Sequence, residues 1–124
     1  MNLTDMETWS LARVGFLYYS HRRLEDAAAL FEGLTELRPD HAYGWYALGL
    51  VRREMGDFRG AVEALNQAIS VDGAMWAARL ALAELLYDHE YVDDARTVLE
   101  PAAAPNAPDV REVQRGRVLL RRWG

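Results

Sequence analysis

The sequence predicts an all-α fold built from repeated helix pairs, and three observations support that prediction. The chain of 124 residues contains 19 Ala and 17 Leu, which favour helices, but only four Pro, which break them. Hydrophobic residues make up 51% of the chain, which is enough to form a packed core. Residues of similar size also recur at intervals of 34 positions, and such a period is typical of repeat architectures.

Three columns of the repeat show what each unit must look like. They are Gly15, Gly49 and Ala83; Ala27, Ala61 and Ala95; and Phe31, Leu65 and Leu99. The second and third columns are four residues apart, and this spacing puts both on one helical face. The first column provides small residues in a preceding helix, where a second helix can approach closely. Each unit is therefore predicted to be a pair of antiparallel helices, which must stack on neighbouring units to bury its apolar faces.

Hydrophobic periodicity and turn signals divide the chain into seven predicted helices. They cover residues 5–20, 24–37, 41–55, 58–71, 75–88, 92–102 and 108–122. Asp40 and Asp57 precede the third and fourth helices, and we expect both to act as N-caps. Pro101 is expected to end the sixth helix early or to kink it.

The last predicted helix, 108–122, follows the linker-like sequence Pro105-Asn106-Ala107-Pro108. Pro108 fits the first turn of a helix, where no backbone hydrogen bond is lost. The expected role of this helix is to cap the third unit with a set of apolar residues. That set is Val110, Val113, Val118, Leu119 and Trp123.

A helix–turn–helix unit of 34 residues with these columns resembles the tetratricopeptide repeat. The middle copy matches best, through Trp45, Leu48, Gly49, Gly56-Asp57-Phe58, Ala61, Leu65 and Ala68. The resemblance implies an α-solenoid of three repeats at approximately 8–41, 42–75 and 76–109, followed by the capping helix 108–122. We expect the whole chain, 1–124, to form a single domain.

The resemblance also implies that the first helix of each repeat lines a concave groove that binds a protein or peptide. Its ligand-facing positions are the second, fifth, ninth and twelfth, and spacings of three and four put them on one helical face. The predicted groove residues are Trp9, Phe16, Tyr19, Tyr43, Tyr46, Leu50, Arg53, Leu80, Glu84 and Tyr87. Such a contiguous apolar surface is typical of a partner site. The alternative interpretation is that some of these residues are buried by neighbouring repeats or by a self-dimer.

Composition argues against most other functions. The chain has no Cys and no Lys, which excludes thiolate metal sites, cysteine nucleophiles and lysine-dependent cofactor chemistry. His21, His41 and His89 are far apart in sequence, so we expect no metal site, no cofactor and no catalytic residues. The protein is therefore predicted not to be an enzyme. A net charge of −5 argues against nucleic-acid binding, although residues 111–124 carry a charge of +4.

No apolar run is long enough to span a membrane, and the first nine residues do not look like a signal peptide. A cytoplasmic location is therefore expected.

Several segments look like those of bacterial type III secretion chaperones for translocator proteins. They are Gly15-Phe16-Leu17-Tyr18-Tyr19, Arg53-Glu54-Met55-Gly56-Asp57-Phe58 and Ala83-Glu84-Leu85-Leu86. This resemblance implies an extended, apolar-anchored client segment and the possibility of a homodimer. The alternative is a general adaptor or scaffold of this repeat family in a cytosolic complex.

Overall fold

The computed structural model describes residues 2–124, and all the regular elements in that range are helical. The helices are α1 (Asp5–Ser20), α2 (Leu24–Leu37), α3 (Ala42–Glu54), α4 (Phe58–Val71), α5 (Trp76–Asp88), α6 (Val92–Leu99) and α7 (Arg111–Trp123), and a short 3-10 helix covers Glu100–Ala103. The all-α prediction is confirmed, and each predicted helix begins within three residues of an observed one. None of the described helices is long and apolar enough to cross a bilayer.

The chain divides into two compact units, residues 1–73 and 74–124. Residue 1, which belongs to the predicted domain 1–124, lies outside the described residues. In the first unit α1 packs on α2, α2 on α3, and α3 on α4. Phe31 and Leu34 of α2 and Leu48 and Val51 of α3 are buried at the centre of this unit.

The small residues of the repeat stand where paired helices cross. A Cβ atom added to Gly15 would lie 2.5 Å from Cζ of Phe31, and one added to Gly49 would lie 2.7 Å from Cγ of Leu65. Real Cβ atoms essentially never lie so close to another heavy atom, because the two atoms would overlap. The side chains opposite the two glycines therefore leave no room for a methyl group. The predicted close approach of the second helix at the small column is therefore found in the first unit, where the glycines face the bulky residues Phe31 and Leu65.

The turn inside each helix pair repeats with the same period of 34 residues. The backbone N–H groups of Arg23, Asp57 and Tyr91 each donate to the carbonyl five residues earlier, over 2.8, 2.9 and 2.9 Å. The residue before each donor has a positive φ, namely Arg22 (61°), Gly56 (78°) and Glu90 (70°). Only Gly adopts this conformation without steric cost, so the middle repeat has the least strained turn.

Two of the helices begin at a side-chain cap. Thr4 Oγ1 accepts from the Glu7 N–H at 3.1 Å, and Glu7 Oε1 accepts from the Thr4 N–H at 3.0 Å, which forms a capping box. These hydrogen bonds lower the pKa of the Glu7 carboxyl. Asp57 caps α4 as predicted, because its carboxylate accepts from the Gly60 N–H.

The prediction that Asp40 caps α3 is wrong. The residue before α3 is His41, which makes no side-chain cap bond. The Asp40 carboxylate instead accepts from Nε and Nη2 of Arg38 at 2.9 and 3.0 Å, and this pairing lowers the pKa of Asp40. A bidentate ion pair with a guanidinium is a stronger partner than an exposed backbone amide.

In the second unit α5 pairs with α6, and α7 packs on both of them and on the 3-10 helix. As predicted, α6 ends before Pro101, which lies in the 3-10 helix at Glu100–Ala103. The prediction for Pro108 is wrong, because α7 begins three residues later, at Arg111. Arg117 of α7 donates to the Ala102 carbonyl at 2.7 Å and so ties α7 to the 3-10 helix.

The predicted apolar face of the last helix is only partly buried. Val113 is fully buried and Leu119 is 4% exposed, which agrees with a capping role for α7 within its unit. Val110 and Val118 are 38% and 37% exposed, so the prediction that they are packed is wrong. Val110 lies before the first turn of α7, where the helical periodicity does not yet apply.

Replacing Gly49 by Ala tests the helix crossing. We expect Gly49→Ala to reduce the free energy of unfolding by roughly 1–3 kcal/mol, because the Leu65 side chain must move to admit the methyl group. The control is Gly33→Ala, also in a helix, where a Cβ atom has no neighbour within 4 Å. It should raise stability by about 0.5–1 kcal/mol through helix propensity. Equal urea midpoints for the two variants would contradict the close crossing.

Truncating Leu119 tests the packing of α7. Leu119→Ala should lower the free energy of unfolding by about 2–5 kcal/mol, because it leaves a cavity at a buried position. The neighbouring substitution Val118→Ala should change it by no more than about 0.5 kcal/mol, since Val118 is exposed. Urea denaturation followed by circular dichroism measures the free energy of unfolding of both variants. Similar decreases in the two variants would mean that α7 does not bury its Leu119 face.

Candidate functional site

Two adjacent open pockets lie on the first unit, where α1 and α3 present large side chains. The first pocket has a volume of about 300 Å³ and the second about 240 Å³. The first pocket is lined by Trp9, Ala12, Arg13, Phe16, Leu17 and Tyr43. The second pocket is lined by Phe16, Tyr19, Phe31, Tyr43, Tyr46, Ala47, Leu50 and Val51. Phe16 and Tyr43 line both, so the two pockets share a wall.

The structure brings together six of the seven groove residues that the sequence predicts in the first two repeats. They are Trp9, Phe16, Tyr19, Tyr43, Tyr46 and Leu50. Arg53 lines neither pocket, and its guanidinium lies 3.5 Å from the carboxylate of Glu54. The spacing of three and four residues along α1 and α3 accounts for this convergence.

The aromatic rings of the two pockets contact one another in two groups, one that joins Trp9, Tyr43 and Tyr46 and one that joins Phe16 and Tyr19. The ring centroids of Trp9 and Tyr43 are 5.3 Å apart, and those of Tyr43 and Tyr46 are 6.1 Å apart. Phe16 and Tyr19 are 6.5 Å apart along α1. Trp9 and Phe16 are 50% and 54% exposed, whereas burial of Tyr43 raises the pKa of its hydroxyl. Large aromatic side chains left in solvent beside apolar pockets mark a surface that a partner can cover.

Some pocket residues were not predicted from the sequence. Ala12 is not among them, because it holds the fifth, ligand-facing position of the first repeat. Ala47 is a buried small residue that lines the second pocket, and Phe31 and Val51 are core residues that also reach it. The repeat columns and the helical periodicity indicate that these three residues are buried, but they do not indicate that the residues also line a pocket. Arg13 could have been found, because it follows Trp9 by four residues and so lies on the same side of α1.

His41 lies beside the first pocket, at the start of α3. Its ring meets the Trp9 ring edge-on with 4.6 Å between centroids, and its Nε2 atom is buried without a hydrogen-bond partner among the described residues. Burial lowers the pKa of His41, and the positive charge of Arg38 lowers it further. The nearby carboxylates of Asp40 and Asp5 act in the opposite direction, but less strongly.

The predicted groove residues of the third repeat, Leu80, Glu84 and Tyr87, lie on α5 in the second unit. The Tyr87 ring stacks on Trp123 of α7, with centroids 4.4 Å apart and an angle of 7° between the planes. Glu84 lies 3.9 Å from the guanidinium of Arg115. Glu84 and Tyr87 also line a pocket of about 290 Å³ with Asp88, Arg115, Leu119, Arg122 and Trp123. This pocket carries charges of both signs, unlike the two apolar pockets of the first unit.

Within residues 2–124, no three His, Asp or Glu side chains come close enough together to hold a metal ion. The sequence predicts no catalytic residues, and the described pockets are lined by the aromatic, aliphatic and charged side chains named above. The chemistry that the first unit offers is therefore burial of apolar side chains beside hydroxyl groups of Tyr.

Comparison with known families identifies the repeats. Two tetratricopeptide repeat models match the chain, one over residues 16–54 and the other over residues 52–118. The second of these covers more than half of the chain. The chain therefore belongs to the tetratricopeptide repeat family, and the resemblance inferred from the 34-residue period is confirmed.

Solved structures with the same fold include two chaperones bound to peptides. One is the type III secretion chaperone SycD of Yersinia enterocolitica with a peptide of the translocator YopD. It has a TM-score of 0.83 and 21% identity over 97% of this chain and 94% of that one. The other is PcrH with the chaperone-binding region of PopD, with a TM-score of 0.82 and 21% identity over 98% and 93%. PcrH is a protein of Pseudomonas aeruginosa.

A curated relative comes from a different context. The peroxisomal targeting signal receptor of Saccharomyces cerevisiae is 28% identical over 88 residues. These residues make up 71% of this chain but only 14% of the receptor. The likeness therefore concerns a small part of the receptor and not the receptor as a whole.

The buried Nε2 atom of His41, which has no hydrogen-bond partner among the described residues, makes stability depend on pH. As the pH falls from 7 towards 5, the unfolded chain binds a proton at this side chain near the ordinary pKa of 6.5, whereas the folded chain resists it. We expect the free energy of unfolding to fall more steeply over this range in the native chain than in His41→Asn. Urea unfolding at several pH values measures this. Carboxylates that titrate in both chains largely cancel in the difference, and parallel curves would contradict the environment described for His41.

Proposed function

We propose that this protein binds an extended segment of a partner protein, with apolar side chains of that segment anchored in the two pockets of the first unit. The observation that carries the proposal is the convergence of Trp9, Phe16, Tyr19, Tyr43, Tyr46 and Leu50 around adjacent pockets. Burial of an aliphatic or aromatic side chain contributes about 1.5–3 kcal/mol, so two anchors supply a substantial part of a binding free energy.

The geometry suits an extended segment rather than a folded surface. Side chains on the same side of an extended chain are two residues apart, or about 7 Å, so alternate residues can enter adjacent pockets. Tyr19, Tyr43 and Tyr46 add hydroxyl groups beside the second pocket. In our proposal these hydroxyls donate to or accept from backbone groups of the segment, which would otherwise lose their bonds to water.

We further propose that the partner is a translocator-type client and that the protein acts as a type III secretion chaperone in the cytosol, without catalysing a reaction. The peptide complexes of SycD and PcrH support this proposal, because both have this fold over nearly the whole chain. Covering the apolar segment of a client would prevent that segment from aggregating before secretion. In this proposal Leu80, Glu84 and Tyr87 of α5 also contact the client, and a homodimer is compatible with the function.

The second candidate function is that of a general adaptor in a cytosolic complex. The sequence likeness to part of the yeast peroxisomal targeting signal receptor favours this candidate. A labelled peptide of the PopD chaperone-binding region separates the two. Binding that is lost on substitution of the pocket residues supports the chaperone. Binding of other apolar-anchored peptides, with none to the PopD peptide, supports the adaptor.

Truncation of Phe16 tests the proposed site, because its exposed ring lines both pockets. Apolar-anchored peptides are first selected on the native chain from a displayed library of random twelve-residue sequences. We expect Phe16→Ala to weaken their binding about 30-fold or more, as central aromatic residues of interfaces lose about 2 kcal/mol on truncation. Tyr46→Ala should have a similar effect. Fluorescence anisotropy measures the dissociation constants.

The control for this prediction is Leu37→Ala, an exposed apolar residue of α2 that lines neither pocket. Its affinity for the same peptides should stay within about twofold of the native value. The melting temperature of Phe16→Ala should equal that of the native chain, because Phe16 is not a core residue. Two results would overturn the proposed site. One is a selection that yields peptides without apolar anchors, and the other is an equal loss of peptide affinity in Phe16→Ala and Leu37→Ala.

A further inference from the structure

Arg13 is the single charged residue among those that line the two pockets. The other residues of the first pocket are Trp9, Ala12, Phe16, Leu17 and Tyr43, and the second pocket has no charged lining residue. Arg13 is exposed, and it stands on α1 between Trp9, four residues earlier, and Leu17, four residues later. Positive charge is thus confined to one end of an otherwise uncharged surface.

Arg13 also lacks the carboxylate partner that other arginines of the first unit have. Arg22 pairs with Glu54, Arg23 with Asp26, and Arg38 with Asp5 and Asp40. Within residues 2–124 no carboxylate lies within ion-pair distance of Arg13. Its neighbours one helical turn away are Ser10, Phe16, Trp9 and Leu17, so α1 supplies no acid either.

The apolar surroundings of Arg13 make its charge more effective than that of an ordinary surface arginine. A guanidinium in open solvent gains little from a carboxylate, because water screens the attraction. Bound between aromatic and aliphatic walls, the same pair is partly shielded from water, and the Coulomb attraction increases as the local dielectric constant falls. A ligand that fills the first pocket would itself produce that shielding.

We infer that the partner segment carries an Asp or Glu beside the apolar residue that anchors it in the first pocket, and that Arg13 binds this side-chain carboxylate. The inference rests on the proposed function. An acid two residues from the anchor lies on the same side of an extended chain, about 7 Å away. Because the second pocket is uncharged, the acid also defines which end of the segment occupies the first pocket.

A side-chain carboxylate fits the site better than a terminal one. Trp9 and Leu17 extend the apolar lining of the first pocket on both sides of Arg13, so a bound segment can continue past it in either direction. A chain terminus needs a surface that closes around it, and a single arginine does not provide one. The ligand is therefore assigned as an acidic residue within a longer apolar segment.

Peptide selection on two chains tests this inference. The library of random twelve-residue peptides, with blocked termini, is selected in parallel on the native chain and on Arg13→Gln. We expect both selections to yield peptides with apolar anchors. Asp or Glu should be enriched near one of the anchors in the native selection, but not in the Arg13→Gln selection. Apolar anchors without the acid would overturn the inference but leave the proposed function standing. No apolar anchors in either selection would overturn the proposed function itself.

Affinities of one selected peptide then isolate the ion pair. Replacing its Glu by Gln should weaken binding to the native chain about 3- to 10-fold and leave binding to Arg13→Gln unchanged. The difference in affinity between the Glu peptide and the Gln peptide for the native chain should decrease as the salt concentration is raised. The control Arg59→Gln removes an exposed arginine that lines neither pocket, and it should behave as the native chain does.

Two results would contradict the assignment of Arg13. The first is an equal loss for the Glu-to-Gln peptide on the native chain and on Arg13→Gln, which would place the carboxylate elsewhere. The second is a free carboxyl terminus that replaces the internal acid without loss of affinity, which would make the ligand a chain end. Unchanged melting temperatures of both variants show that the differences come from binding.

Discussion

The close crossing of paired helices is the constraint on which the first unit depends. Gly15 faces Phe31 and Gly49 faces Leu65, with no space for a Cβ atom at either glycine. A larger residue at Gly15 would push α1 away from α2, and one at Gly49 would push α3 away from α4. The cost of two glycines inside helices is about 1 kcal/mol each. Close packing of the bulky residues opposite them compensates for that cost.

The crossing also determines the shape of the candidate site. Phe31 fills the space left by Gly15, and the same side chain reaches the second pocket. The core of the first unit and the wall of the site thus share a residue. A change at Gly15 would therefore alter both stability and the pocket, whereas Phe16, the next residue, is half-exposed, lines both pockets and is not part of the core. Adjacent residues of α1 consequently have separate roles.

Arg38 holds the beginning of α3 in place beside the site. Its guanidinium donates to the Leu3 carbonyl and the Thr8 hydroxyl of the α1 end, and it pairs with Asp5 and Asp40. These contacts position the segment that leads into His41 and Tyr43, whose rings meet Trp9. Because one guanidinium binds partners on both sides of the site, this network restrains the wall of the first pocket.

Much of the fold could be predicted from the sequence because helices depend on local spacing. The position of Pro101 and the cap at Asp57 involve residues within one or two turns of each other, and the 34-residue period repeats the same local spacings in each unit. The errors come from competition that local patterns do not contain. Asp40 was predicted to cap α3, but its carboxylate binds Arg38 instead. Pro108 was predicted to lie in the first turn of the last helix, but Val110 is extended and the helix begins at Arg111.

The sequence by itself determined which residues form the exposed face of α1 and α3, because spacings of three and four define one side of a helix. Only the tertiary structure decided what that face encloses. The stacking of Tyr87 on Trp123, the exclusion of Arg53 from the pockets and the isolation of Arg13 among apolar neighbours all depend on helices brought together by packing. Distances between side chains on different helices follow from that packing, and no repeat period encodes them directly.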